Sequence, residues 1–250
     1  MRALAAIVML LWLTLAAAEE IVMGLSADEV AITATFDGHD ILIFGAIKRD
    51  APPTDDRPLD VVITVSGPLT PVIVRHRERR FGLWVNTDMA LVDAAPSFYA
   101  VAATRALDEV LTHTEDLRHS VSISRVIRSV GNEVDNSADF TAALIRIRKG
   151  EGQYQILPDG VRLDEETLFR ARIDLPANLI EGGYDIRIFI TRGGEVIDLV
   201  ETVIDVRKVG LEAWLFNLSR QQPYVYGALS LVLAMLAGWG ASAIFQAMRR

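Results

Sequence analysis

No cysteine occurs anywhere in the 250 residues, which excludes disulfides, thiolate nucleophiles and zinc sites built on thiolates. Folding therefore rests on core packing alone. Histidine is scarce: His39, His76, His113 and His119 are the four present, and none stands in an HExxH or other metal-ligand spacing. A glycine-rich phosphate loop is missing, and neither Ser26 nor Ser97 has the setting of a nucleophile elbow. Basic charge is short as well. With 25 Lys and Arg against 33 Asp and Glu, the net charge of −8 argues against nucleic acid as a partner. These absences leave no cofactor to expect and no catalytic constellation, so enzymatic activity is the less favoured reading.

What is present gathers first at the two ends. Met1 and Arg2 make a short basic start, Ala3 to Leu15 is almost wholly apolar, and Ala16-Ala17-Ala18 supplies the small residues a signal peptidase accepts. Residues 1–18 are thus expected to be a signal peptide, cleaved before Glu19. At the other end, Tyr224 to Met248 runs 25 residues without a formal charge. As a helix rising ~1.5 Å per residue, that stretch suffices to cross a bilayer. Pro223 suits the first helical turn, Tyr224 and Tyr226 suit the interface, and Arg249-Arg250 satisfy the positive-inside preference. We therefore expect a span over 223–248, a cytoplasmic tail at 249–250 and everything before the span outside the cytoplasm, at the inner membrane. Before it, residues 209–222 place Leu211, Trp214, Leu215 and Leu218 on one face, as in an amphipathic helix lying on the bilayer or on the preceding domain.

The middle of the chain is dominated by short β-branched runs separated by turn residues, the pattern of an all-β sandwich. Val30–Phe36 and Ile41–Ile47 read as an opening hairpin. Strands are then expected at Val61–Val65, Val72–His76, Gly82–Asn86 and Phe98–Thr104, with turns at Gly67-Pro68 and Asp93–Pro96. Residues 107–150 read as a helical connector. Beyond them, Thr167–Leu175, Tyr184–Thr191 and Val196–Val206 form strands, Arg192-Gly193-Gly194 a hairpin turn, and Tyr184 the fixing residue of a corner. The fold class expected is mainly β: two tandem Ig-like β-sandwich domains, 19–106 and the smaller 151–208, joined by the connector and followed by one C-terminal transmembrane helix.

The phrases Phe81-Gly82-Leu83-Trp84-Val85-Asn86 and Pro96-Ser97-Phe98-Tyr99-Ala100-Val101-Ala102 resemble the signature of Alph_Pro_TM, an alphaproteobacterial family of transmembrane proteins. The resemblance runs over the whole chain. It implies architecture and source, carries no catalytic residue, and points to a sulfite-exporter-like membrane protein as a candidate partner.

Few other features compete as sites. Arg75, Arg77, Arg79 and Arg80 form the one dense basic run, readable as a patch for an anion, a lipid headgroup or an acidic partner, or as a charged strand edge that blocks aggregation. Trp84 and Phe98-Tyr99 could be a ligand platform but are better read as core. Asp164-Glu165-Glu166 reads as a solvated turn rather than a calcium loop. In the span, Ser230, Ala234, Gly238 and Ser242 recur every four residues, a smooth stripe against which another helix could pack. The partners expected are an integral membrane protein, or a second copy of this chain, met through the span, together with the lipid bilayer. The leading reading is a non-enzymatic interaction or accessory subunit for an integral membrane partner. The alternative is an extracytoplasmic hydrolase or ligand-binding protein whose site is assembled from distant residues.

Overall fold

The computed structural model of the protein describes residues 19–26, 29–32, 38–49, 57–128, 137–209 and 211–248. The signal-peptide reading of 1–18 and the tail at 249–250 lie outside the described residues.

Two sheets pack face to face. One is antiparallel, in the order β1 (Glu19–Leu25), β3 (His39–Arg49), β10 (Leu168–Leu175), β9 (Val161–Asp164). The other has six strands in the order β2 (Glu29–Ile32), β12 (Glu195–Lys208), β11 (Gly182–Arg192), β4 (Leu59–Ser66), β7 (Tyr99–Ala103), β8 (Tyr154–Leu157). Sequence pattern explains their placement. β10 alternates strictly, burying Phe169, Ala171, Ile173 and Leu175 while Arg170, Arg172 and Asp174 face water. β4 is instead buried along almost its whole length, Asp60 and Thr64 included, as a strand covered on both faces should be. Its Val61, Ile63 and Val65 join Ile41, Ile43 and Ile173 in the core between the sheets.

Val62 points the other way. With Tyr99, Val101 and Phe189 it opens a second core on the outer face of the six-stranded sheet. That core is roofed by α1 (Leu107–Val110), α2 (His113–His119), α3 (Ile123–Val126) and α4 (Ser137–Gly150), which supply Val110, Ile123, Phe140 and Leu144. Each layer thus covers an apolar face of its neighbour.

Several expectations are corrected by this topology. The two tandem sandwiches are one: β3 of the first stretch pairs with β10 of the second, and β4 pairs with β11. The described residues of 107–150 form the four helices just named, but as a layer on the sheet rather than a connector between domains. No opening hairpin joins the first runs, because β2 lies parallel to β12 in one sheet while β3 belongs to the other. Residues 33–37 of that reading lie outside the described residues. Asp93–Pro96 is extended and ends a long strand, β6 (Leu83–Pro96), which pairs with β5 (Leu69–Arg80) in a two-stranded ribbon. The Tyr184 corner is present, its hydroxyl donating to the Ile180 carbonyl at 2.9 Å.

After β12 come α5 (Leu211–Gln221) and α6 (Pro223–Met248). Among the described residues, α6 alone is long and apolar enough to cross a membrane, and its side chains are exposed rather than buried against the body.

Candidate functional site

The β5–β6 ribbon grows directly out of the six-stranded sheet. Ser66 lies opposite Tyr99; Gly67 N–H then donates to the Phe98 carbonyl at 2.8 Å, Ser97 N–H to the Pro68 carbonyl at 2.9 Å, and Leu69 faces Pro96. The β4–β7 ladder therefore continues without a break into an arm. Since β4 and β12 both run antiparallel to β11, they head for the same edge of the sheet, with Asp185 opposite both Ser66 and Val203. From that edge β12 runs on to α5 and the apolar helix, and β4 runs on into the arm.

The arm's root is fixed. Tyr154 donates its hydroxyl to the Pro96 carbonyl at 2.8 Å, Arg148 a guanidinium N–H to the Ser97 carbonyl at 3.2 Å, and Ala94 and Arg128 exchange backbone hydrogen bonds. Val74, Ala90 and Val92 are buried in the helical core. Beyond Val74 the ribbon leaves the body for six more residues of β5 and seven of β6, about 20 Å at ~3.3 Å per residue. A register shift beside His76 leaves Thr87 without a cross-strand partner, a bulge that adds twist.

Strand alternation gives the free part of the arm two unlike faces. One carries His76, Glu78 and Arg80 with Asp88, Val85 and Leu83 opposite, and its charges pair: Arg80 to Glu78 at 3.2 Å, His76 Nδ1 to Asp88 at 3.9 Å. The other carries Ile73, Arg75, Arg77 and Arg79 with Leu91, Met89, Asn86 and Trp84 opposite. No acid stands in that second set. Trp84, read from sequence as core, is 70% exposed there and Met89 66%, because among the described residues no third layer covers the ribbon. Phe98 and Tyr99, by contrast, are core as expected.

At the tip, Phe81 and Gly82 both have positive φ, 50° and 84°, as in a two-residue hairpin turn of the primed type. Asn or Gly is the usual occupant of the first such position, since a Cβ there meets the following carbonyl. Phe81 is held in this conformation with its ring wholly exposed. Folding gains nothing from an aromatic at that place.

Elsewhere the polar groups have structural duties. Buried Asp60 accepts hydrogen bonds from Thr104 at 2.7 Å and Arg105 at 2.5 and 3.1 Å; Glu115 pairs with Arg118 at 2.7 Å and His119 at 3.3 Å. His113 lies 3.1 Å from Arg125. His76, His113 and His119 are not brought together, and the side chain of His39 lies outside the described residues. Among the described residues no group of three or more His, Asp or Glu is placed to hold a metal ion. Asp164-Glu165-Glu166 is a tight turn, with Thr167 N–H returning to the Asp164 carbonyl at 3.1 Å. An open cleft of about 430 Å³ lies at the arm's root between Ser66, Arg125, Arg128, Asp185, Arg187 and Glu201. Its Arg187 is already occupied, donating to the His119 and Ser120 carbonyls at 2.7 and 3.2 Å and lying 5.3 Å over the Phe189 ring. In the apolar helix, Ser230 donates its hydroxyl to the Tyr226 carbonyl at 2.9 Å, and a Cβ added to Gly238 would meet nothing within 4 Å.

A mainly β body of two packed sheets is followed, among the described residues, by one exposed apolar helix of membrane length, as suits a membrane protein. The chain belongs to the family described as "Putative transmembrane protein (Alph_Pro_TM)", whose model matches residues 20–247. Among curated proteins, none matches the chain.

Proposed function

We propose that this protein is a non-enzymatic accessory subunit of an integral membrane partner, with its sandwich outside the cytoplasm and its last residues inside. The family's neighbourhood makes a sulfite-exporter-like transporter a candidate for that partner. The observation that carries the reading is the apolar helix, whose small residues Ser230, Ala234, Gly238 and Ser242 recur at helical spacing on a span that nothing in the body buries. Without a hydrophobic driving force in lipid, helices associate where small residues let backbones approach closely. Orientation follows from the signal-like start and from Arg249-Arg250.

The test is a pair of span variants. Gly238→Leu should block close approach and abolish crosslinking to the membrane partner, with no internal clash to confuse the result. Leu233→Ile, elsewhere on the helix, should be nearly neutral. Both are compared at equal amounts of inserted protein, and equal crosslinking would reduce the helix to an anchor.

A further inference from the structure

We infer that the β5–β6 arm docks on an anionic lipid bilayer, laying Arg75, Arg77 and Arg79 among headgroups while Phe81 and Trp84 enter the interface. This goes beyond the partnership of the span and rests on different residues. Three independent features support it.

Charge comes first. In a protein of net charge −8, one face of the free arm gathers three guanidinium groups and no acid, Arg77 meeting only the neutral Asn86 amide oxygen at 3.3 Å, while the opposite face pairs its charges internally. Such a face complements phosphate-bearing headgroups, each basic residue near an anionic surface favouring the bound state by roughly fivefold. The second feature is the apolar set. Trp84, Met89, Ile73 and Leu91 are interleaved with the arginines on that face, and Phe81 projects from the tip. Tryptophan with basic neighbours suits the headgroup region, where the ring is half desolvated and the charge stays wet. An aromatic held at positive φ and fully exposed is a cost to the free protein that contact with an apolar medium offsets. The third is direction: the arm leaves the sheet at the edge from which β12 runs toward the membrane-length helix. An arm on the opposite edge would point away from the bilayer.

The native absence of cysteine makes the test clean. The full chain carrying Met89→Cys, on the arginine face opposite Arg75, labelled with a polarity-sensitive fluorophore, is reconstituted into vesicles of zwitterionic lipid alone or mixed with phosphatidylglycerol, each with lipid-attached quencher. Glu195→Cys, at the far end of β12, serves as the control position. The expected result is a blue shift and quenching at position 89 in the anionic vesicles only, with none at position 195. Combined Arg75→Glu, Arg77→Glu and Arg79→Glu should abolish the signal. Phe81→Asn, which suits the left-handed turn and keeps the hairpin, should weaken quenching while leaving the thermal transition intact. A water-exposed probe in anionic vesicles would overturn the inference, as would equal quenching in zwitterionic lipid. Protection that appears only when a membrane-protein extract is added would also overturn it, in favour of an acidic protein surface.

Discussion

Three buried tyrosines hold this molecule's loops by their hydroxyls: Tyr99 donates to the Val121 carbonyl at 2.7 Å, Tyr154 to Pro96 and Tyr184 to Ile180. Burial withholds water from a phenolate, so the phenols of Tyr99 and Tyr154 are both pushed up to about 12 from 10.0, only partly opposed by Arg187 and Arg148. Tyr184 moves in the same direction, again chiefly through burial. A phenol that holds its proton more tightly when folded contributes stability fully present below the unfolded value, and that stability is lost as pH rises through the folded one. Stability of the full chain in detergent should therefore be insensitive to these groups up to about pH 10. Between 10 and 12 it should fall by about 1.4 kcal/mol per pH unit for each of Tyr99 and Tyr154. Tyr99→Phe should lower stability at neutral pH by about 1 kcal/mol through the lost hydrogen bond, and remove one tyrosine's share of the alkaline slope. Denaturant midpoints followed across pH, with phenolate absorbance in parallel, check both. Phenolate of Tyr99 near pH 10 in a chain still folded, read as the absorbance that Tyr99→Phe removes, would contradict the burial argument.

The arm and the sheet are one ladder, and the joint between them passes over Tyr184 with no room to spare. A Cβ on Gly67 would lie 2.6 Å from Ser97 Oγ, 2.9 Å from the Tyr184 ring and 3.1 Å from the Phe98 nitrogen. Gly67→Ala should therefore destabilise the chain by about 1–3 kcal/mol, because the ladder partner is backbone and cannot step aside. Gly150→Ala, at the end of α4 where nothing lies within 4 Å, should be neutral or slightly stabilising. Thermal unfolding of the two variants side by side decides it. The joint also shows what local pattern does and does not encode. The strands at Val61–Val65 and Thr167–Leu175, the Arg192-Gly193-Gly194 turn and the Tyr184 corner were all legible, since each is written in neighbouring residues. Pairing is not local. The parallel partnerships of β2 with β12 and β7 with β8 join strands far apart in sequence, and β1, β8 and β9 have patterns too short to stand out. Asp93–Pro96 carries turn-forming residues yet is held extended by Leu69 and Thr70 across the ladder. For Trp84, alternation told which residues share its face but not whether a layer covers that face. The basic run was readable as a patch; its separation into a paired face and an unpaired one needed the register.

At the scale of the whole molecule, interleaving decides what counts as a folding unit. Each sheet draws strands from both sides of the helical stretch: β1 and β3 need β10 and β9, while β4 and β7 need β11, β12 and β8. Residues 19–106 alone would leave Val61, Ile63 and Val65 without β11 beside them and Ile41 and Ile43 without β10, exposing a core that is almost dry in the intact chain. Residues 151–208 alone would retain the β11–β12 and β9–β10 hairpins, but two hairpins without the central β3 and β4 form no closed sandwich. Stability per residue in proteins is small, so losing half the strands of both sheets should cost the whole fold rather than half of it. Exported without its partner segment, 19–106 should be protease-sensitive and show no cooperative unfolding transition, and 151–208 likewise. Exported together with a separate chain of 107–250, residues 19–106 should become protease-resistant and copurify with it, because the missing edges are restored in trans. A cooperative transition in isolated 19–106 would instead mean that the first stretch is a domain of its own, and that its pairing with β10 and β11 is an association between domains.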